Sequence, residues 1–366
     1  MPSPRQTNRR QFLKGQAAAQ ALGDLVAPAE VEGDQPTTPA AAETYLLQLG
    51  RRAMACQFEI YLNAGQYSQA ADIALEALDF VDRLEEQMTV YRDTSEISRL
   101  NRLAASGPVE VEPRLFQLLL RAAQIHRETE GAFDITSGPL TKVWGFYRRA
   151  GTIPEADVLA EALRRVGSDA LEFDEASHAV RFLKPGVEVN LGAIGKGYAL
   201  DRVAEQMLSA GIDHFLWHGG QSSLLARGTC GRQTGAPGGW TVDVRHPLRP
   251  ERSVVEIRLR DRALGTSGAG TQFFRHAGRR YGHILDPRTG WPAEGVYSAT
   301  VIASTAADAD ALATALYVLG AERAVAWCGQ HPEVRLLMFV AGQSRRSVEL
   351  VTCGLSPGDW RQVGDL

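Results

Sequence analysis

The order of the helical and strand-like patterns constrains the fold of this chain more than any other feature of its sequence. Apolar residues recur at helical spacing over residues 68–87 and 113–130. Two short alternating runs, 171–173 and 179–183, flank a polar turn and predict a β-hairpin. Because hairpins and helices are mixed rather than strictly alternating, the sequence predicts an α+β fold. We expect mixed, largely antiparallel sheets with flanking helices, in two intimately joined lobes.

The remaining patterns place further elements along the chain. A strand is predicted within residues 44–62, where apolar and polar residues alternate, and a helix follows a glycine-rich turn and extends to about residue 209. The other predicted strands are 215–217, 240–244, 254–258, 298–302 and 334–340, and the other predicted helices are 307–319 and 322–328.

Composition excludes one class of partner. The chain has 366 residues, 44% hydrophobic residues and a net charge of -4, so it has ample material for a core and no excess of basic residues. Binding to a phosphate backbone requires a basic stripe, so we expect no nucleic acid partner. The four cysteines are scattered without a CxxC motif. They are either isolated small apolar residues or, in an oxidising compartment, able to form a disulfide bond.

The N-terminal residues have the parts of an export signal. Arg9-Arg10 precedes Phe12-Leu13-Lys14, an alanine-rich stretch and the small-x-small sequence Ala27-Pro28-Ala29. Residues 1–29 therefore resemble a twin-arginine signal peptide, too short and polar to span a bilayer permanently. A disordered basic N-terminus is the alternative. We expect a flexible linker over 30–43, a folded domain over 44–366, no transmembrane span in the mature chain, and a location in the periplasm or cell envelope.

A glycine-rich segment, residues 189–201, runs from a predicted strand into a predicted helix. Gly192, Gly195 and Gly197 permit close approach of the backbone to a ligand, and Lys196 supplies a cation at the start of the helix. This arrangement suits a nucleotide pyrophosphate. The segment matches neither Walker A nor GxGxxG, so a plain strand-to-helix turn is the alternative.

Two later segments carry side chains that could accept a proton or bind a metal. His283, in segment 281–292, could accept a proton near neutral pH, although a lone histidine is more often structural. Asp310 and Thr314 are four residues apart and share a helix face, where two hard oxygen ligands suit Mg²⁺. Asp308 is a rival ligand off that face, and a helix-start acid with a solvated threonine is the alternative.

Taken in this order, the three segments resemble the ApbE family of FAD:protein FMN transferases. Residues 88–101 are similar to the family's early tyrosine-containing segment, and residues 131–140 to its Ala-Phe-Asp segment. The resemblance covers nearly everything after residue 44. Three positions depart from the family pattern: Met54-Ala55-Cys56 replaces Met-Gly-Thr, Gly219-Gly220-Gln221 replaces Gly-Gly-Asp, and Ala269-Gly270 replaces Asp-Tyr.

The resemblance implies a role for twelve residues. It implies that His283 receives a proton and that the side chains of Asp310 and Thr314, with the backbone carbonyl of Ala193, hold the metal. The residues that it implies contact FAD are Met54, Tyr91, Ala132, Phe133, Asp134, Asn190, Lys196 and Ile284. Tyr91 and Phe133 are alternatively core aromatics. The other histidines lack a matching motif.

The activity implied by the resemblance is Mg²⁺-dependent transfer of FMN from FAD to a Ser or Thr hydroxyl of an acceptor protein, with release of AMP. The implied partner carries a Ser/Thr flavinylation motif, such as a subunit of a membrane redox complex. Two alternatives stay open. One is an FAD pyrophosphatase that gives free FMN and AMP, and the other is a non-catalytic flavin-binding protein of the cell envelope.

Overall fold

A computed structural model describes residues 45–148, 150–231, 238–268, 270, 272–342 and 347–366. The predicted signal peptide, the predicted linker and Ala269 lie outside the described residues. Residues 44–366 form one compact unit. Within the described ranges, no helix has the length and apolar character needed to cross a membrane.

The described ranges contain eight helices and sixteen strands. The helices are α1 (Ala70–Met88), α2 (Glu96–Leu103), α3 (Pro113–Glu128), α4 (Gly138–Val143), α5 (Ala156–Arg164), α6 (Gly195–Ser209), α7 (Ala306–Leu319) and α8 (Ala321–Gly329). The strands are β1 (Leu46–Ala53), β2 (Cys56–Asn63), β3 (Val109–Glu110), β4 (Leu171–Asp174), β5 (Ala179–Phe182), β6 (Phe215–Gly219), β7 (Ser223–Arg227), β8 (Trp240–His246), β9 (Arg249–Leu259), β10 (Arg262–Gly268), β11 (Phe273–His276), β12 (Arg279–Gly282), β13 (Val296–Ala303), β14 (Arg335–Ala341), β15 (Val348–Cys353) and β16 (Trp360–Gln362).

The largest sheet has eight strands in the order β1-β2-β6-β7-β10-β13-β14-β15. Every neighbouring pair in it is antiparallel. Smaller antiparallel sheets are formed by β16-β9-β8, β3-β5-β4 and β11-β12. The predicted α+β class with largely antiparallel sheets is therefore confirmed.

The two faces of the large sheet carry different cores. Successive side chains of a strand point to opposite faces, and on β13 the neighbours Val301 and Ile302 belong to separate apolar clusters. The Val301 cluster includes residues of α1, α6 and α7, whereas the Ile302 cluster includes residues of β8 and β9. Helices thus cover one face, and the β16-β9-β8 sheet covers the other.

The alternating run 58–62 that predicts a strand lies in β2, but the prediction missed β1, which precedes β2 and pairs with it as a hairpin. Ala53 pairs with Cys56, so Met54 and Ala55 are the two turn residues. Both have positive φ, 48° and 59°. Such a turn usually contains glycine or asparagine, so the sequence carries no turn signal here.

Two glycines allow α7 to touch its neighbours through backbone. A Cβ on Gly197 of α6 would overlap the carbonyl oxygen of Ala306, and one on Gly265 of β10 would overlap that of Ala309. The middle of α6 is also joined to the start of α7, since Asp201 accepts the N–H groups of Ala306 and Ala307, at 2.8 and 2.9 Å. Close contact on both sides fixes the position of α7 and of the side chains it carries.

Candidate active site

A cavity in the described part of the chain has a volume of about 850 Å³. It is lined by residues from the ends of several strands, from α6 and α7, and from the loop after β12. Eleven of the twelve residues selected from the sequence line it: Tyr91, Ala132, Phe133, Asp134, Asn190, Ala193, Lys196, His283, Ile284, Asp310 and Thr314. Residues up to 223 positions apart in the chain, Tyr91 and Thr314, therefore share one cavity.

Met54 is the exception, since it is not among the lining residues. It lies in the β1–β2 turn, and its backbone N–H donates to Glu85 of α1 at 2.7 Å. That bond ties the turn to the helical layer. The role of Met54 in contacting FAD stays a prediction.

Asp310 is a buried acid of the cavity. Its carboxylate accepts hydrogen bonds from the Ser223 hydroxyl, at 2.7 and 2.9 Å, and from the Gly197 N–H at 2.8 Å. The ammonium of Lys196 lies 3.7 Å away. Burial raises the pKa of Asp310, and the charge of Lys196 and these hydrogen bonds oppose that rise. A further positive charge in the cavity would stabilise the carboxylate in its ionised form.

Thr314 lies one turn after Asp310 on α7. Its hydroxyl is 2.8 Å from that of Ser267 and 3.3 Å from the Asp310 carbonyl oxygen. Ala193 lines the same cavity. A carboxylate, a hydroxyl and a carbonyl are hard oxygen donors of the kind that Mg²⁺ accepts, so the residues present fit this ion. Among the described side chains, no group of three His, Cys, Asp or Glu residues is arranged to hold a metal.

The rival ligand Asp308 is engaged elsewhere. Its carboxylate pairs with Arg121 of α3, at 2.8 and 3.2 Å, and it does not belong to the cavity lining. The structure thus separates two acids that are two residues apart in sequence, because they lie on different faces of α7.

His283 follows β12 directly and lines the cavity. Its Nδ1 is 3.1 Å from the carbonyl oxygen of Gln272. A carbonyl only accepts hydrogen bonds, so a neutral ring carries its proton on Nδ1 and leaves Nε2 free to accept one. Burial lowers the pKa of His283; the Gln272 bond opposes this shift, and the charge of Lys196 adds to it. His283 is therefore neutral near pH 7.

The other polar residues beside His283 serve the loop itself. Asp286 accepts hydrogen bonds from the backbone N–H and the guanidinium of Arg288, at 2.8 to 2.9 Å. The Thr289 hydroxyl accepts the N–H of Trp291 at 3.2 Å. These bonds close the turn after His283 and leave His283 as the loop's titratable group on the cavity.

An aromatic pair lies on the cavity wall. Tyr91 lies against Tyr147 with ring centroids 4.7 Å apart and ring planes tilted by 33°, and Tyr91 is 67% exposed. Phe133, by contrast, is buried in the main core. The core alternative therefore describes Phe133 but not Tyr91, whose exposed ring offers a stacking surface for a planar ligand.

Asp134 also touches the cavity, but its carboxylate is occupied by protein groups. It accepts hydrogen bonds from Thr136 and Ser168, each through both backbone N–H and hydroxyl, and lies 3.1 Å from His126 Nδ1. Burial acts to raise the pKa of Asp134, but the hydrogen bond and charge of His126, with the Thr136 bonds, lower it. The carboxylate thereby anchors the segment that places Ala132 and Phe133 on the cavity.

Within the glycine-rich segment, only one of the three glycines lines the cavity. Gly192 does so, and its N–H donates to the Asn190 side chain at 2.8 Å. Gly197 instead lies against α7, and Gly195 packs near Leu191 and Met88. The expectation that all three glycines approach a ligand is thus replaced by a mainly architectural role.

Sequence reasoning did not select several polar residues of the cavity. Ser267 lines the cavity and binds Thr314, and the fully buried Ser223, which is not among the lining residues, binds Asp310 from a segment without a motif. His218 lines the cavity with its Nε2 2.8 Å from Glu59 across the β2–β6 pair. Such contacts arise from strand register, which the sequence around each residue does not reveal.

Comparison with known proteins agrees with this geometry. The model of the ApbE family matches residues 54–338, well over half of the chain. The chain belongs to the ApbE family. The resemblance found in the sequence is therefore confirmed.

Curated relatives of this ApbE chain align with it over most of their own length. A protein of Haemophilus influenzae named FAD:protein FMN transferase is 30% identical over 77% of this chain and 83% of its own length. A protein of Treponema pallidum with the same name is 33% identical, over 75% of this chain and 79% of its own.

Solved ApbE structures share the fold. The ApbE protein of Thermotoga maritima superimposes with a TM-score of 0.75 at 29% identity, covering 84% of this chain and 97% of its own. The flavin transferase ApbE of Vibrio cholerae gives a TM-score of 0.72 at 28% identity, covering 85% and 98%.

Two of the departures from the ApbE pattern, Gln221 and Gly270, line the cavity, whereas Cys56 is not among its lining residues. Gln221 has a φ of 62°, and Cys56 lies so near Gly220 that a Cβ there would be 2.8 Å from the cysteine Cβ. Burial raises the pKa of Cys56, the charge of Lys196 lowers it, and the net shift is upward. The thiol therefore remains protonated near neutral pH, which suits a packing role.

Proposed function

We propose that this chain is an FAD:protein FMN transferase, which moves FMN from FAD to a Ser or Thr hydroxyl of an acceptor protein and releases AMP. Relatives with that name and the ApbE family match support the transfer activity. The structural observation that carries it is one cavity of about 850 Å³ that joins a neutral histidine, a lysine and a buried acid. This volume is ample for a dinucleotide.

We propose Mg²⁺ as the metal, held by Asp310, Thr314 and the Ala193 carbonyl. The support is the buried carboxylate with hard oxygen donors around it. When bound, the ion neutralises negative charge on the pyrophosphate and so makes AMP a better leaving group.

The side chains of this cavity then have separable tasks. Lys196 provides positive charge beside Asp310, and Tyr91 with Tyr147 offers a surface on which a flavin ring stacks. His283, with its Nδ1 proton held on Gln272, accepts at Nε2 the proton that leaves the attacking hydroxyl. The hydroxyl oxygen then bonds to the FMN phosphorus as the bond to AMP breaks.

The acceptor and the location belong to the same proposal. The acceptor carries a Ser/Thr flavinylation motif, as in a subunit of a membrane redox complex, and the enzyme works in the periplasm or cell envelope. Arg9-Arg10 and the alanine-rich stretch after it support export. Lysine at both arginine positions should retain the protein in the cytoplasm, as fractionation would report. Unchanged export would refute a twin-arginine route.

The activity is tested by the fate of the nucleotide. The protein is incubated with FAD, Mg²⁺ and a peptide that contains the Ser/Thr motif, and AMP, FMN and peptide-bound flavin are separated and quantified. Transfer predicts AMP equal to peptide-bound flavin, both abolished by EDTA. AMP equal to free FMN would instead indicate the pyrophosphatase, and FAD retained intact would indicate a flavin-binding protein.

A further inference from the structure

The fold brings two cysteines together that are far apart in sequence. Cys328 lies near the end of α8, and Cys353 is the last residue of β15, the edge strand of the large sheet. The Cys328 Sγ is 3.4 Å from the carbonyl oxygen of Val334, and the Cys353 Sγ is 3.9 Å from that of Val325. Each thiol thus contacts backbone next to the other cysteine's position.

The sheet register independently fixes this juxtaposition. Cys353 pairs with Leu336, two residues after Val334, and a Cβ on Gly354 would lie 3.1 Å from the same Val334 oxygen that Cys328 contacts. Both cysteines belong to the packing of the main core, Cys328 fully buried and Cys353 half-buried.

We propose that Cys328 and Cys353 are a disulfide site that covalently joins α8 to the edge strand β15. In the structure both are free thiols, so the bond forms by oxidation. The oxidant is a disulfide of the glutathione or protein-dithiol class. The Cys353 thiolate attacks one oxidant sulfur and releases one thiol, and the Cys328 thiolate then attacks the Cys353 sulfur and releases the second. Two protons leave the cysteines, and two thiols of the oxidant are formed.

This order of attack follows from exposure and charge. Cys353 is the more accessible sulfur, so an external disulfide reaches it first. Burial raises the pKa of Cys328 to about 12, and its contact with Cys353 adds to that shift. Closure by Cys328 is therefore slow and accelerates as the pH rises.

The consequence concerns the helix that carries Asp310. Only Gly320 separates α7 from α8, so a bond at Cys328 restrains the segment directly after α7. The bond closes a loop of about 25 residues, which restricts the unfolded chain. It also holds the open edge of the sheet against a helix. We expect the oxidised protein to unfold at a temperature roughly 5 °C or more above that of the reduced protein.

The test uses the full chain without substitution. After equilibration with oxidised glutathione we expect an intact mass lower by about 2 Da, and alkylation of a second sample under denaturing conditions should label two thiols instead of four. Non-reducing peptide mapping should join the peptides that contain Cys328 and Cys353. Four free thiols after oxidation, or glutathione retained on Cys353 without closure, would overturn the proposal.

Two variants separate the bond from general effects of oxidation. Cys353→Ser should abolish both the link and the oxidation-dependent rise in melting temperature. The matched control Cys230→Ser removes a half-buried cysteine at another site and should leave both unchanged. If Cys353→Ser melts at the temperature of oxidised wild type, or a link forms through Cys230 instead, the assignment is wrong.

Discussion

At the scale of single residues, His283 has the environment that a general base requires. It is neutral because burial lowers its pKa, and its tautomer is set by the Gln272 carbonyl. We predict that His283→Ala slows FMN transfer about 100-fold while FAD affinity is unchanged. Single-turnover kinetics and flavin titration measure the two quantities. His276→Ala, at an exposed histidine on β11, is the control that should transfer normally. Equal rates for the two variants would remove His283 from the mechanism.

Asp310 makes a second residue-scale prediction. Asp310→Asn keeps the size of the side chain but removes its charge, so we predict loss of Mg²⁺ binding together with a fall in transfer of about 100-fold or more. Calorimetric Mg²⁺ titration of the protein provides a readout that is independent of turnover.

The matched control for this variant is Asp308→Asn, which breaks the Arg121 pair on the same helix. It should cost some stability but leave the Mg²⁺ titration unaltered. A normal titration in Asp310→Asn, or an abolished one only in Asp308→Asn, would contradict the metal assignment.

Local motifs pointed to His283, Lys196 and Asp310, and the resemblance to the ApbE family selected them over the structural alternatives. The motifs could not find Ser223 or His218, because an isolated serine or histidine carries no signal until strand register places it beside Asp310 or on the cavity. Nor could a motif show that the Asp134 carboxylate already accepts hydrogen bonds from protein groups. Such facts depend on long-range partners.

At the scale of elements, the contact between α6 and α7 depends on Gly197. Alanine is favoured over glycine by about 1 kcal/mol within a helix. At Gly197, however, the added methyl would overlap the Ala306 carbonyl, and overpacking typically costs 1–3 kcal/mol. We predict that Gly197→Ala is destabilising by about 1–2 kcal/mol and weakens Mg²⁺ binding, because the Gly197 N–H to Asp310 bond is displaced.

Urea unfolding measures this cost, and Gly329→Ala supplies the comparison. Gly329 is the last residue of α8, and a Cβ there would meet no atom within 4 Å. This control should be neutral or stabilising by up to about 1 kcal/mol. If both alanine variants gained stability, the close crossing of α6 and α7 would be incorrect.

Asp201, the other link between these helices, gives a pH prediction. Burial raises its pKa from 3.8 to about 7, although the N–H groups of Ala306 and Ala307 oppose the shift. The pKa of Asp201 is higher in the folded state than in the unfolded state. Its contribution to the free energy of unfolding is therefore complete below about pH 4 and is lost as the pH rises through 7. Asp201→Asn should therefore reduce the fall in unfolding free energy between pH 5 and pH 8 by roughly 2–3 kcal/mol.

Denaturant titrations of wild type and Asp201→Asn at both pH values measure the difference. Parallel pH dependence in the two proteins would show that Asp201 does not titrate in this range. The two proteins share all other titrating groups, so the contributions of those groups to the pH dependence cancel in the difference.

Helices with long apolar periodicity were predictable, and α1 and α3 lie within about two residues of their predicted bounds. The β4–β5 hairpin was predictable because its polar turn is flanked by alternating runs. Strand β10, by contrast, has the sequence RALGTSG, whose burial follows its place between β7 and β13 rather than a period of two. Strands in the middle of a sheet lose the alternation that marks them in a sequence.

At the scale of the whole molecule, function depends on a cavity that is formed by segments far apart in the chain. The large sheet, the helical layer and the β8–β9 strands each contribute to its lining. The sequence predicted the class of fold and, through the ApbE resemblance, the residues involved. It could not predict the sheet order, because pairing between β2 and β6 is decided by packing over about 150 residues of intervening chain.

The most direct measurement of the proposed transfer is the mass of an acceptor peptide after denaturation. The full chain is incubated with FAD, Mg²⁺ and a Ser/Thr flavinylation peptide, beside a peptide with alanine at the acceptor position. We predict that the first peptide gains the mass of FMN less water and retains flavin fluorescence through denaturation, whereas the alanine peptide and His283→Ala reactions show little or no gain. An unmodified peptide in the presence of bound FAD and Mg²⁺ would contradict FMN transfer by this chain.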